Sequence, residues 1–414
     1  MLAIELFREN PKLIKDSEKK RFKDPKVVDQ VIEYDNRWRT VLKKVQELQH
    51  KRNIVSQEIS DLKKKKKPAK SKILEMKKVS NEIANLNSKA VKLLKKRDEF
   101  RYRIGNILDK SVPVGRTDDK NKVIRKWGKI SKKKVGHADL IKSLANIEKA
   151  ADVAGARFYY LEGKGAVLNL ALINYAFDYF VKKGFTPVWP PYVLKEKAMA
   201  GVAELADFKE QLYKLEGEDL YLIATAEQPL IVLHMNEVIG KVPKIYVGFS
   251  TNFRREAGAH GKDTKGIFRT HSFDKVEQIV ICDPKDSWKW LEKMIKYAEE
   301  LMKGLEIPYK VTTVASGEMN DNGAKKYDIE AWFPSQGKYR ELISGTNCTD
   351  YQARKLNIKF GKVGGEKHYV HTLNCTGLAT GRTISALIEN HQQKDGSIKI
   401  PKKLQKYTGF KEIK

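Results

Sequence analysis

The sequence is short of nearly everything that a secreted or membrane-embedded chain needs. Its 414 residues include three cysteines, Cys282, Cys348 and Cys375; an odd number without paired spacing suits neither a disulfide framework nor a zinc knuckle, and no zinc is expected. No apolar run approaches the roughly 18 residues of a membrane span. The opening MLAIELFRENPKLIK carries acids and a proline where a secretory segment would be apolar. A cytoplasmic protein with no membrane partner is the expectation. No G-x-G-x-x-G follows a strand-like run, which argues against a dinucleotide-binding turn. Acidic residues are in deficit, with 52 Asp and Glu against 81 Lys and Arg, a net charge of +29. A field of that sign attracts polyanions, nucleic acid first among them. With 41% hydrophobic and 32% charged side chains, the chain can still bury a full core in two or three domains.

The positive charge is unevenly spread. Residues 1–110 hold 31 basic and 16 acidic side chains, net +15, so about half of the excess sits in about a quarter of the chain. The same region has a period of its own. Val31, Tyr34, Trp38, Val41, Val45, Leu48, Arg52, Val55, Ile59 and Leu62 alternate steps of three and four, as in a heptad seam. After KKKKKPAK, where Pro68 cannot continue a helix, a second series runs Met76, Val79, Ile83, Leu86, Ala90, Leu93, Arg97, Phe100 and Ile104. A narrow seam cannot be buried by one helix, so the two are expected to fold back as an antiparallel coiled-coil hairpin over about 27–105. Arg37, Lys44, Lys51, Lys92, Lys96 and Arg103 flank the seam, where cations can either solvate a long arm or track a phosphate backbone.

The expected division is an N-terminal domain over 1–110, a linker over 111–135 and a second domain over 136–414. That last part begins with helix-like stretches at 138–155 and 165–184, the second closed by Gly184. Strand-like runs then cluster at 221–227, 244–258, 267–282, 327–334, 339–349 and 369–379, before a helical 381–392. Strands grouped in this way predict an antiparallel sheet flanked by helices, hence an α+β fold.

The runs 244–258 and 267–282 bracket a Gly-rich, cationic loop. Strand alternation would put Arg254 with Glu256 on one side, and Arg269, His271, Phe273, Lys275 and Glu277 on one side. Guanidiniums, an aromatic ring and acids on one surface suit an anionic nucleotide better than a structural sheet.

These residues carry a family resemblance. NFRREAGAHGKDTKGIFRTHSFDKVEQ resembles the second signature motif of class II aminoacyl-tRNA synthetases, and in detail that of seryl-tRNA synthetases. GFTPVWPPYVL (184–194) is similar to the first motif, with Pro191 as the dimer-interface proline. ATAEQPL (224–230) resembles the Thr-Ala-Glu amino-acid loop. YDIEAWFPSQGKYRELISGTNCTDYQARKLNIKF and HTLNCTGLATGRTISALIENHQ resemble the remaining strands and the third motif. The basic hairpin resembles the family's tRNA-binding arm.

The resemblance implies a homodimeric enzyme that joins L-serine to ATP as seryl-adenylate and then charges serine tRNA through its long variable arm, with selenocysteine tRNA as a second candidate acceptor. Arg254 would bridge the serine carboxylate and the α-phosphate. Arg269 and Arg382 would hold the outer phosphates, completing the catalytic set. Phe273 and Arg382 would sandwich adenine, and Glu256 would accept from its amine. Arg255, Leu342 and Ile343 complete the implied ATP set. Glu341 and Ser344 match the Mg2+ strand, where a hard cation takes oxygen ligands; their spacing of three implies a bulge or a bridging water. Thr225, Ala226, Glu227, Glu277, Asn374 and Thr376 match the serine-binding positions, and Lys44, Lys51, Lys92 and Lys96 stand for the tRNA contacts. Ile343 replaces a serine usual in the family, Arg255 replaces a frequent serine, and Cys375 stands where a small residue is common, beside the expected serine pocket. His260, His271 and His371 receive no catalytic role, because the carboxylate nucleophile is already ionised. An inactive RNA-binding homologue and a ligase for a carrier protein are the alternatives; the complete charged set speaks against the first and the basic arm against the second.

Overall fold

The computed structural model describes residues 1–132, 134–204, 210–257, 265–362 and 364–414. The chain forms two compact units, one of residues 2–19 and 23–105 and the other of residues 1, 20–22 and 106–414.

In the first unit, short helices α1 (Ile4–Glu9) and α2 (Pro11–Lys20) precede the long pair α3 (Lys26–Lys64) and α4 (Lys70–Arg101). At 1.5 Å per residue, α3 and α4 extend about 58 and about 48 Å. The break falls at 65–69, around Pro68, as the sequence requires. Val45 and Leu48 pack on Val79 and Ile83, and Val41 packs with Ala90 and Leu93. Lys51 pairs with Glu75 at 3.1 Å and Glu58 with Lys72 at 2.7 Å. Partner numbers that fall as α3 advances make the hairpin antiparallel. Arg52, expected on the seam, is exposed; its long charged side chain reaches water more cheaply than it packs. Asp35, absent from the apolar series, is 2% exposed and takes Arg8 from α1 (2.8 and 3.0 Å) and Arg97 from α4 (3.1 Å). Burial works against its charge, but the two guanidiniums win and hold the carboxyl below its usual range.

In the second unit, an eight-stranded sheet is built from β1 (Lys122–Trp127), β2 (Thr186–Val188), β3 (Lys244–Phe253), β4 (Ser272–Cys282), β5 (Tyr309–Thr313), β6 (Lys325–Phe333), β7 (Lys338–Asn347) and β8 (His371–Ala379). The order is β1-β5-β6-β7-β8-β4-β3-β2, and every pairing is antiparallel except β2 with β3. Alternation along β4 divides its neighbours. Val276, Val280 and Cys282 enter a core shared with α5 (Lys164–Lys182), α7 (Ser287–Gly304) and α9 (Thr380–Asn390). Ile279 and Ile281 face the other way, into a cluster with α6 (Glu227–Val232) and α8 (Tyr351–Leu356). That second cover stops short, leaving Glu277, Lys275 and Phe273 to line a cavity.

Three expectations are corrected. The stretch 111–135 is no linker, because it contains β1, an edge strand paired to β5. Five of its six residues are exposed, so backbone pairing holds it and no apolar alternation marks it. The boundary lies at 105/106: Asn106 donates its side-chain amide to Cys348 O (2.8 Å) and Asn322 O (2.9 Å). The helix expected at 138–155 is broken, since Asn146 caps a new helix, Ile147–Ala154, by accepting from Lys149 N at 3.0 Å. Gly184, at φ 86°, follows α5 as anticipated. Among the described residues no helix is long and apolar enough to cross a membrane.

Asp35→Ala takes from the buried Arg97 one of its two carboxylates, Asp98 remaining at 2.9 Å, while Arg8, 34% exposed, can turn to water; a cost of about 1–3 kcal/mol is expected. Hydrogen exchange should show lost protection in α3 and α4, with the strands unchanged. Because the Asp35 carboxyl is held low, its contribution is present above pH about 4 and is lost as pH falls below that.

Candidate active site

A cavity of about 510 Å³ opens on the uncovered part of the sheet. Its floor comes from β4, β7 and β8, and its rim from the start of α6, the chain after β3 and the N-terminus of α9. The second-motif pattern needs one revision. β3 ends at Phe253 and β4 starts at Ser272; one further bond, Arg254 N–H to His271 O at 2.8 Å, continues the pairing, but Glu256 and Arg269 lie beyond the ladder and strand alternation does not place them. Glu256 has a φ of 49°, a left-handed turn that swings the chain after Arg254.

On the floor, Glu277 is 2% exposed and forms a short ion pair with Lys275, which is 6% exposed. Lys275 also donates to Thr225 Oγ1 at 2.8 Å, and Thr376 Oγ1 donates to Glu277 at 3.4 Å. Thr376 and Glu277 are direct partners across β8 and β4. Asn374, two residues earlier, lines the same wall. The Thr-Ala-Glu run was expected to be a strand; β-structure stops at Leu222, and Glu227 opens α6. This helix sits close to the sheet because Gly248 lies beneath it. A Cβ on Gly248 would stand 2.5 Å from Leu230 Cδ1 and 3.3 Å from Ala226 Cβ. Glu227 accepts from Gln352 Nε2 at 2.8 Å, and Gln352 accepts from Thr372 at 2.6 Å. Burial raises the Glu227 carboxyl to about 7, with Glu277 adding repulsion and Gln352, Lys275 and Arg254 only partly opposing.

On the nucleotide side, Arg254 donates to Ala224 O at 3.2 Å and lies over the Phe273 ring at 5.2 Å. Arg269 is 3.6 Å from Glu256. Arg382, at the start of α9, reaches Glu341 O (3.0 Å) and Oε1 (3.4 Å) and stacks 5.3 Å from the Phe268 centroid. Gly381 lets that helix start close in, since a Cβ there would be 2.6 Å from Ile267 O. The Glu341 side chain is 44% exposed; crowding by the cavity wall would raise its carboxyl, but Arg382, Lys326, Arg254 and Arg269 bring it down to about 2. The bulge implied for the Glu341–Ser344 spacing is present. Ile329 opposes Ile343 while Glu330 opposes Glu341, so Leu342 is the extra residue. Glu341 and Ser344 both line the cavity.

Three assigned residues, and Cys375 with them, lie elsewhere or contribute no cavity-lining side chain. Ala226 is buried under α6 in the second cluster, and Ile343 is 1% exposed in the main core. Arg255 is exposed outside the cavity, its N–H bonded to Gln211 O at 2.9 Å. Cys375, expected beside the serine pocket, points away from the cavity into the main core, where burial raises its thiol well above the usual value. His260 lies outside the described residues. His271 and His371 bond to Arg254 O (2.9 Å) and Ser287 Oγ (2.8 Å). Lys275, Gln352 and Lys326 were not assigned by sequence. Lys275 carried a signal, its alternation with Phe273 and Glu277; Gln352 and Lys326 carried none.

In the arm unit, Lys44, Lys51, Lys92 and Lys96 are exposed. Lys51 is paired with Glu75 and Lys96 with Glu99 at 2.7 Å.

Because Glu227 holds its proton up to about pH 7 in the fold and only to about 4.5 when unfolded, stability should fall as pH rises between those values and level off above. Glu227→Gln should remove that slope, melting as wild type does at pH 5 and several degrees higher at pH 8. Parallel melting curves for the two proteins across this range would contradict the raised value.

Two family models match: the seryl-tRNA synthetase N-terminal domain over residues 1–108 and the class II core domain of tRNA synthetases (G, H, P, S and T) over 209–391. The serine–tRNA ligase of Pyrococcus horikoshii is 47% identical over all of this chain and 97% of its own. Among solved structures, P. horikoshii seryl-tRNA synthetase complexed with ATP superposes with a TM-score of 0.95 at 45% identity, covering 100% of this chain and 99% of that one. The cytoplasmic serine–tRNA ligase of Naegleria fowleri with AMP gives 0.90 at 39% identity, with the same coverage. Ordered motifs around one cavity and full-length identity at this level together place the chain in the seryl-tRNA synthetase family of class II aminoacyl-tRNA synthetases.

Proposed function

We propose that this chain activates L-serine with ATP, releasing pyrophosphate, and passes the serine to the 3′-terminal adenosine of serine tRNA. The buried Glu277, fixed by Lys275 and Thr376 on the cavity floor, carries this reading. An anionic acceptor at that depth suits a ligand that brings both an ammonium and a hydroxyl, and a ligand without the hydroxyl leaves a buried polar group unpaired. Thr225, Glu227, Asn374 and Thr376 surround it.

The serine carboxylate must attack the α-phosphorus in line while charge builds on oxygen, so the chain's task is positioning and charge stabilisation. Arg254 is assigned the carboxylate and α-phosphate, a bidentate duty suited to a guanidinium. Arg269 and Arg382 are assigned the outer phosphates, Phe273 and Arg382 the adenine faces, and Glu256 the adenine amine. Glu341 and Ser344, side by side through the bulge, fit a hard divalent cation by donor chemistry. Mg2+ held there would neutralise phosphate charge. ATP bound to the P. horikoshii relative supports the nucleotide assignment.

The exposed flank of the arm, with Lys44, Lys51, Lys92 and Lys96, is assigned to the backbone of serine tRNA. A homodimer is supported by apolar side chains left in water: Trp189 is 72% exposed beside exposed Pro191, and α5 exposes Leu170. The cytoplasm is the assigned location.

Pyrophosphate exchange into ATP should depend on serine, with threonine, alanine and cysteine far weaker, and serine tRNA should be charged. Exchange independent of serine would reject the activity. Reversing Lys44 and Lys92 to Glu should raise the KM for tRNA about tenfold or more and flatten its salt dependence, while exchange stays unchanged. Equal charging by that variant would move tRNA off this flank.

A further inference from the structure

ATP and L-serine account for two sides of the cavity and leave a third wall unassigned. Arg269, Phe273, Glu341 and Arg382 are assigned to the nucleotide, and Glu277, Asn374 and Thr376 to serine. Along β7 the lining runs from Glu341 through Ser344 to Thr346, which pairs with Asn374 of the serine floor. The wall past Thr346 therefore lies on the serine side, away from the nucleotide. It is the segment leading into β6, and Asn320 and Asn322 line the cavity from it.

This segment is held through its backbone. The six consecutive carbonyls of residues 319–324 are each taken by a residue outside it. Arg21, 5% exposed, donates to Met319 O (3.3 Å), Asn320 O (3.0 Å) and Gly323 O (2.5 Å). Asn106 donates its N–H to Asp321 O at 2.7 Å and its side-chain amide to Asn322 O at 2.9 Å, and Asp109 N–H reaches Ala324 O at 2.9 Å. Gly323 brings the segment against the sheet, since a Cβ there would stand 2.9 Å from Thr346 Cγ2. Among the described residues, neither the Asn320 nor the Asn322 carboxamide has a hydrogen-bond partner. A fixed backbone that offers two unpaired carboxamides to a cavity is prepared for a ligand, because little is left to order. Each carboxamide presents an acceptor beside donors, which matches the edge of a purine. A phosphate fits poorly, since Glu204 lines the same wall and accepts from Asp321 N–H at 2.6 Å.

We propose that Asn320 and Asn322 form the subsite for the 3′-terminal adenosine of tRNA, hydrogen-bonding the edge of its base while its ribose faces the serine carboxyl. The inference rests on the transfer step proposed above and names the residues that receive the acceptor. An unstacked base at an RNA end exposes its edges to such contacts. Arg21 and Asn106 are positioning residues here, acting through the backbone that carries the two asparagines.

The test compares wild type with Asn320→Ala/Asn322→Ala in the full chain, on serine tRNA ending in adenosine or in inosine, whose base has a keto group in place of the amine. Serine-dependent pyrophosphate exchange needs no acceptor and should stay within about twofold of wild type. With the adenosine end, kcat/KM for tRNA should fall about ten- to a hundredfold, the range for losing a bidentate base contact. Wild type should lose a similar factor on the inosine end. The double variant should lose less than about threefold on that change, because its base contact is already gone; a merely structural defect would leave the full sensitivity in place. Charging equal to wild type, full sensitivity to inosine in the variant, or exchange that falls as far as charging each overturns the proposal. Wild type indifferent to the terminal base overturns the subsite alone. Wild type that exchanges pyrophosphate but charges no serine tRNA overturns the transfer reading and this inference together.

Discussion

A buried ion pair governs the active unit. Glu277 and Lys275 stand on one face of β4, 2% and 6% exposed, and neither charge would be tolerated at that depth alone. Lys275 extends the pair to Thr225, and Thr376 closes it from β8. The floor of the cavity is therefore a tied set drawn from three segments far apart in sequence. A ligand that reaches it meets an acceptor already oriented, so little ordering remains to be done when it binds.

Everything above that floor is arranged by how closely backbone can approach it. Gly248 lets α6 descend until Thr225 meets Lys275, and Gly381 lets α9 start against Ile267, aiming Arg382 at Glu341. The extra residue Leu342 turns a strand that would alternate into one that shows Glu341 and Ser344 together. Cations gathered around the exposed Glu341 keep it ionised, whereas Glu227, with a neutral amide for its hydrogen-bond partner, holds its proton to about pH 7. Two carboxyls in one cavity are thus set apart by their neighbours, one fit for a cation and one responsive to the charge of what binds beside it.

Periodicity and motif order made much of this legible. The heptad seam foretold α3, α4 and the turn at Pro68, because a repeated apolar step can be satisfied only by helix pairing. The charged motif residues foretold the cavity wall: Arg254, Arg269, Glu277, Glu341 and Arg382 all reach it. What stayed hidden depends on contacts without a local pattern. β1 is held by backbone pairing under an exposed, charged surface, so it read as linker. Asp35 joins residues 27 and 62 positions away, and Gln352 meets Glu227 from 125 away. Cys375 was misplaced by one face, since a neighbour of Asn374 and Thr376 on a strand must point opposite to both.

The most direct measurement is the serine KM of Glu277→Gln in pyrophosphate exchange, set beside its KM for ATP. Losing a charge-assisted hydrogen bond of roughly 1.5–3 kcal/mol should raise the serine value about ten- to a hundredfold and leave ATP within a few fold. Unchanged serine KM in a correctly folded variant would contradict the claim that the Glu277 carboxylate recognises the amino acid.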